Sequence, residues 1–298
     1  MCDETTEREL DVYLENKALT RRDFAAGAAA MVAAGGLSPF AFAAKYDASE
    51  LTEREVSITT PDGQADALYI HPREGVHAAV IFWPDIHGVR PAFYDMARQL
   101  AAAGYAVLAA NPYYRTHTGQ LFFDGMTFRD PGGRELVIPH YQVFTSDTVG
   151  VDAIALAAWL DGQGAVDSDR GIGAVGFCMT GSWTLRAAAA VPGRIHAPCS
   201  FHGGGLVTDA DDSPHLLADK IQGGVLIAIA ENDHERQPEA QGVLVQAFAD
   251  AGVPAEIEVY EDAMHGWVPT DSRAHHPEQS ARAWGRMLAL FDAQLGTA

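Results

Sequence analysis

From about residue 53 onward, short apolar runs alternate with longer amphipathic stretches. No other feature of the chain limits its fold as much. REVSITT (54–60) and ADALYI (65–70) flank Pro61-Asp62-Gly63, a hairpin turn signal. HAAVIFW (77–83) is almost continuously apolar, as a parallel strand covered on both faces must be. YAVLAA (105–110), GIGAVGF (171–177), HAPCSFH (196–202), VLIAIA (225–230) and AEIEVY (255–260) read as further strands. Helices are expected over 91–103, ended by Gly104, and over 147–161, 180–190, 238–251 and 278–294. Such alternation requires right-handed crossovers and a mostly parallel sheet with helices on both faces. A length of 298 residues allows one large α/β domain or two small ones, with a sizeable core. Residues 111–145 are irregular and rich in aromatics, Gly and Arg, and are expected to form an active-site loop or cap.

The first 44 residues follow different rules. A polar stretch leads to Thr20-Arg21-Arg22-Asp23-Phe24, then to an Ala/Gly-rich run ending Ala41-Phe42-Ala43. Twin arginine, weakly apolar run and small-x-small end resemble a twin-arginine export signal. Cleavage near Ala43 or Ala44 leaves residues 45–298 as a single domain in the periplasm or outside the cell. A leader that does not function leaves the protein in the cytoplasm. The Gly and Ser content makes the run a poor membrane span, so no stable span is expected in the mature chain. The formal net charge of −20 gives no electrostatic footprint for nucleic acid. The three cysteines, Cys2, Cys178 and Cys199, form neither a disulfide framework nor a metal-binding spacing. A Cys178–Cys199 bridge in an oxidising compartment is an alternative that sequence alone leaves open.

In parallel sheets of this kind functional groups gather at the carboxyl ends of the strands. The stretch from Gly176 through Cys178 to Gly181 follows a strand and opens an Ala-rich helix. It reads as G-x-C-x-G, the cysteine form of the G-x-S-x-G strand–turn–helix elbow of the α/β-hydrolase fold. In that fold the nucleophile is followed in the chain by an acid and then by a histidine. Asp233, after VLIAIA, and His265, after the last strand, satisfy the order and the strand-end rule. Glu231 is the second choice for the acid. His234 belongs to the acid loop, and His275 and His276 lie in a polar stretch. The elbow rule also places an oxyanion hole at the backbone N–H groups of Met179 and Ile86. His202-Gly203-Gly204-Gly205 spells HGGG, but it follows Cys178 in the chain where that motif should precede it. His202 is therefore either a pocket residue or a structural histidine.

At these residues the chain resembles the dienelactone hydrolase family of α/β hydrolases. The matching stretches are GFCMTG, ENDHERQPEA, MHGW, VIFWPDIHGV and NPYYR, and the resemblance extends over residues 50–295. It implies a Cys-His-Asp triad of Cys178, His265 and Asp233. It implies a carboxylate beside the resting thiol at Asp85, where the family has glutamate. It implies a substrate-carboxylate arginine at Arg115. Trp267, beside His265, and His202 are further candidates for contact with the substrate. The family's second substrate arginine, which follows the histidine, has no counterpart before Arg273.

The expected chemistry is hydrolysis of a small ester or lactone through a thioester on Cys178. It requires no metal and no organic cofactor. A free thiol is only a few per cent ionised at neutral pH, so its partner histidine and the following helix N-terminus matter. The alternatives are a broad carboxylesterase on the same triad and a non-catalytic thiol-bearing binding or sensing protein.

Overall fold

The computed structural model describes residue 5 and residues 8–14, 46–123 and 126–296. The twin arginine, the Ala/Gly-rich run, Cys2 and the expected cleavage site lie outside the described residues.

Eight strands form one sheet in the order β1-β2-β4-β3-β5-β6-β7-β8. β1 (Leu51–Thr60) and β2 (Gly63–Pro72) form the expected hairpin, and β2 joins β4 (Ala106–Ala110) antiparallel. β3 (Ala79–Trp83), β5 (Ile172–Phe177), β6 (Ile195–Phe201), β7 (Val225–Ala230) and β8 (Ala255–Tyr260) continue it in parallel from β4. The chain steps from β3 to β4 and then returns past β3 to β5. This reversal opens a crevice at the carboxyl ends of β3 and β5, where α/β proteins bind ligands.

Strand side chains alternate between two buried cores. Ala79, Ile81 and Trp83 of β3 face one layer, together with α4 (Ser146–Asp161), α5 (Gly181–Ala190) and α7 (Glu239–Ala251). Val80 and Phe82 face the other, with α2 (Pro91–Ala102) and α8 (Pro277–Gln294). Sealing both faces removes water from β3, β5 and β7, whose residues are all buried. α4 begins at a reciprocal cap between Thr145 and Thr148, which supplies the orphan N–H groups of its first turn.

Three elements depart from the sequence-based expectation. The helix after β5 starts with a 3-10 turn, Cys178–Thr180, before α5 begins at Gly181. The acid loop is a short helix, α6 (Glu231–Arg236), whose first turn carries Glu231 and Asp233 at its positive end. Within 111–145 a helix, α3 (Gly133–Tyr141), packs Val137 into a small cluster with Ile86, Tyr113, Leu121 and Phe122. Residues 8–14 form a further helix, α1, at the carboxyl edge of the sheet. No single helix among the described residues is long and apolar enough to cross a membrane.

Candidate active site

Cys178 stands at the tip of β5 with φ +53°, the left-handed region that a non-glycine residue enters at a cost of about 1–3 kcal/mol. Its neighbours explain how the backbone is held there. The last place of the expected G-x-C-x-G is Thr180, with Gly181 one residue later. The Thr180 hydroxyl accepts the Phe177 N–H at 2.9 Å and donates to the Pro84 carbonyl at 2.9 Å, closing the turn on itself and onto the loop after β3. A Cβ on Gly176 would stand 2.1 Å from the Thr180 carbonyl oxygen, so only glycine fits the inside of the turn. A Cβ on Gly181 would meet the Gly203 Cα at 2.4 Å. The HGGG run thus has a packing role: its glycine lets α5 approach, and the Gly204 N–H donates to the Cys178 carbonyl at 3.0 Å.

His265 and Asp233 meet the elbow from the ends of β8 and β7. His265 Nδ1 lies 2.6 Å from Asp233 Oδ2, and the His265 backbone N–H donates to Asn232 Oδ1 at 2.8 Å. Burial opposes a charge on this imidazole. The Asp233 carboxylate and then the charge of Cys178 outweigh burial and push His265 up to about 10. Burial pulls Asp233 the other way, but His265 and Arg236 hold it below its ordinary value. The pair therefore favours an imidazolium facing the sulfur.

Cys178, His265 and His202 line one cavity of about 510 Å³ with Asp85, Ile86 and Arg90. Phe122 and Met126–Arg129 form its outer wall, so part of the 111–145 segment covers the site. Ile86 and Met179 stand on the two loops that flank the thiol. The Tyr113 hydroxyl donates to the Ile86 carbonyl at 2.6 Å and lies 3.7 Å from the Met179 sulfur. The next two N–H groups of the β3 loop, those of His87 and Gly88, are spent on Asp85, which leaves Ile86 as that loop's candidate oxyanion donor.

Other expected residues are placed differently. Arg115 is outside the cavity wall. Its guanidinium is taken by Asp152 at 2.8 and 2.9 Å and by Asp62 at 2.7 and 3.0 Å, so it ties the β1–β2 turn to α4. The reading of Arg115 as a substrate anchor is corrected accordingly. Trp267 is corrected for a similar reason: it is fully buried in the second core, stacked on Tyr260 at 4.8 Å between centroids. Asp85 does line the cavity, but both its oxygens are held by Arg90, at 2.7 and 3.0 Å. Burial would raise this carboxyl, yet Arg90 and His87 keep it well below the usual carboxylate range. Cys178 and Cys199 are both buried and no disulfide joins them in the structure.

His202 sits with φ +40°, buried, with no hydrogen-bond partner at either ring nitrogen. Its ring is 5.0 Å from that of His265. Burial, and then the charge of His265, pull it down to about 3, so this imidazole is neutral. Sequence reasoning missed Arg90, Thr180, Tyr113 and Asn232. Asn232 and Thr180 carried a local signal, their places beside Asp233 and in the Cys178 turn, and Tyr113 lay within the NPYYR stretch.

The sequence profile of the dienelactone hydrolase family matches residues 65–295. The chain is 27% identical over 233 residues to a carboxymethylenebutenolidase of Rhodococcus opacus, spanning 76% of this chain and 86% of that one. A Klebsiella pneumoniae structure provisionally named a dienelactone hydrolase is 25% identical, with a TM-score of 0.69 over 81% of this chain and 98% of that one. A dienelactone-hydrolase-like phosphotriesterase from metagenomic libraries shares the fold, with 23% identity and a TM-score of 0.65 over 83% of this chain and all of the other.

Proposed function

The chain is a member of the dienelactone hydrolase family and a hydrolase of the carboxymethylenebutenolidase type, and from that premise we propose that Cys178, His265 and Asp233 hydrolyse a carboxylic ester or lactone through a thioester. The observation that carries this reading is the 2.6 Å Asp233–His265 contact beside a strained, buried cysteine in the same cavity.

The steps follow from the charges. His265 holds the proton of Cys178, and the thiolate attacks the carbonyl carbon. A C–S bond forms, and the carbonyl π pair moves onto oxygen, where the N–H groups of Ile86 and Met179 receive it. One such donor is worth roughly 3–4 kcal/mol in the transition state. The intermediate collapses, the C–O bond to the leaving group breaks, and that oxygen takes the proton from His265. Water then attacks the thioester while His265 accepts its proton, and the thiolate departs with the carboxylic acid released. Asp233 fixes the imidazole tautomer and balances its charge throughout. Thiolate is both a good nucleophile and a good leaving group, so stabilised leaving groups such as enolates suit it best. His202, neutral and unpartnered on the cavity wall, offers the substrate a hydrogen bond without competing for charge.

Broad carboxylesterase activity is a second reading, favoured by the commitment of Arg115 to two aspartates. Comparing kcat/KM for neutral and carboxylate-bearing esters separates the two. The test of the nucleophile is a burst experiment on wild type and Cys178→Ala with intact-mass detection. An acyl adduct present in wild type and absent from the variant is expected. Turnover in the variant, or no adduct with a titratable thiol, sends the assignment to a different nucleophile or to thiol-dependent binding.

The leader supports twin-arginine export to the periplasm or beyond. Replacing Arg21 and Arg22 by lysine should retain the protein in the cytoplasm, and unchanged fractionation would remove this assignment.

A further inference from the structure

Helix α1, residues 8–14, precedes the twin arginine, and it packs against the two loops that carry Asp233 and His265. Building on the triad reading, we infer that α1 is a brace for these loops and that Glu9 is a positioning residue for His265.

Leu10, Tyr13 and Leu14 share one helical face, at the i, i+3, i+4 spacing. Leu10 is 1% exposed and packs on Met264, the residue before His265, and on Ala274. The Tyr13 hydroxyl donates at 2.8 Å to the carbonyl of Asp262, which holds the left-handed conformation that turns the chain toward His265. Glu9 Oε2 accepts from Asn232 Nδ2 at 2.9 Å and from Arg236 Nε and Nη2 at 3.1 and 2.9 Å. Asn232 is thereby fixed at both ends of its amide: the NH₂ on Glu9, the oxygen on the His265 N–H.

Charge links Glu9 to the triad by a second route. Arg236 also lies 3.6 Å from Asp233 Oδ1, the oxygen turned away from His265. While Glu9 holds the guanidinium, Asp233 keeps its charge for the imidazole. Without Glu9, Asp233 becomes the nearest anion to Arg236, and its support for the imidazolium weakens. The groups facing His265 are Cys178, His202 and Asp233, with Arg236 behind Asp233. The Asp11–Arg273 pair is more than half exposed on both sides and adds little.

A helix this short does not persist alone in water, so its order depends on docking. If the leader is removed, Glu9 and Leu10 leave with it. The full-length and processed chains then present differently supported histidines.

The test uses the full chain with Glu9→Gln, Leu10→Asp and, at an exposed position of the same helix, Val12→Ser. The readouts are the pH profile of kcat/KM on a neutral aryl ester and hydrogen exchange over residues 261–266. Glu9→Gln and Leu10→Asp should move the alkaline limb down by about half a pH unit or more. Leu10→Asp should also speed exchange over 261–266 by about tenfold or more, with Val12→Ser unchanged. An unmoved limb in both variants overturns the positioning role of Glu9, and unchanged exchange in Leu10→Asp overturns the brace. Turnover in Cys178→Ala marks failure of the triad reading instead, and exchange then decides the brace alone.

Discussion

Thr180 and Pro84, nearly a hundred residues apart in the chain, are joined by a 2.9 Å hydrogen bond that ties the nucleophile turn to the oxyanion loop. The bond is buried and the hydroxyl has no access to water. It helps set the distance between the loops that carry Ile86 and Met179, together with the Tyr113 hydroxyl that touches both residues, so the geometry of the proposed oxyanion hole rests on few side chains.

Thr180→Val keeps the shape and removes the hydroxyl, leaving the Phe177 N–H and the Pro84 carbonyl buried without this partner. Each such group costs about 1–3 kcal/mol. Urea unfolding should show a loss of that order. The drop in kcat should exceed the change in KM, since the hole acts on the transition state. Thr180→Ser should restore most of both. A stability loss with unchanged kcat would detach Thr180 from the oxyanion geometry.

The Asp233–His265 pair sets the pH response. His265 is raised above its unfolded value, so its contribution to stability is full below the ordinary histidine range and is lost as pH rises through about 10. Asp233 is lowered, so its contribution is present above the ordinary carboxylate range and is lost as pH falls through its folded value. Between these limits both are charged. Asp233→Asn leaves burial as the dominant influence on His265. The alkaline limb of kcat/KM should fall by several pH units, kcat should drop by roughly 10⁴-fold, and iodoacetamide should alkylate Cys178 more slowly at neutral pH. An unchanged alkaline limb would break the link between this carboxylate and the imidazolium.

Arg115 illustrates where sequence reasoning reached its limit. Its neighbourhood, Asn111-Pro112-Tyr113-Tyr114-Arg115, is short and distinctive, but its partners Asp62 and Asp152 lie far away in the chain and give no local signal. Arg90 is a mixed case: Asp85 lies five residues before it, but its second partner, Asp271, is distant in the chain. By contrast β3, β5 and β7 were legible because strands sealed on both faces must be apolar at every position. Cys178, Asp233 and His265 were legible as candidates because strand ends and chain order are properties of sequence alone. Trp267 was legible as an aromatic beside a histidine, but not as a residue turned inward onto Tyr260. Helix α1 was hidden by the composition that follows it, which reads as a leader.

Arg115→Met should therefore act on stability and spare substrate charge preference. It strands Asp152, which is buried and also accepts the Tyr114 hydroxyl at 2.6 Å. Removing one partner of a buried ion pair costs about 3–5 kcal/mol. KM should change equally for neutral and carboxylate-bearing esters. A rise confined to the carboxylate-bearing substrate would return Arg115 to the binding site.

Asp85, Arg90 and Asp271 form a strap along the cavity wall. Arg90 holds Asp85 by both nitrogens and reaches Asp271 at 2.6 and 3.1 Å, joining the oxyanion loop to the loop after His265. Asp85 is buried and its carboxyl is depressed, so it contributes stability above the ordinary carboxylate range and loses it as pH falls into strong acid. Arg90→Met leaves that charge unpaired and should cost about 3–5 kcal/mol near neutral pH. Adding Asp85→Asn should recover part of the loss, since no buried charge then remains. The recovery, read by a double-mutant cycle in urea, measures the coupling. The single variant should also have a raised KM, because two walls of the cavity are no longer joined. If the double variant is as unstable as the sum of the singles, Arg90 stabilises the protein through its packing over Phe93, 4.5 Å from the ring centroid, and not through Asp85.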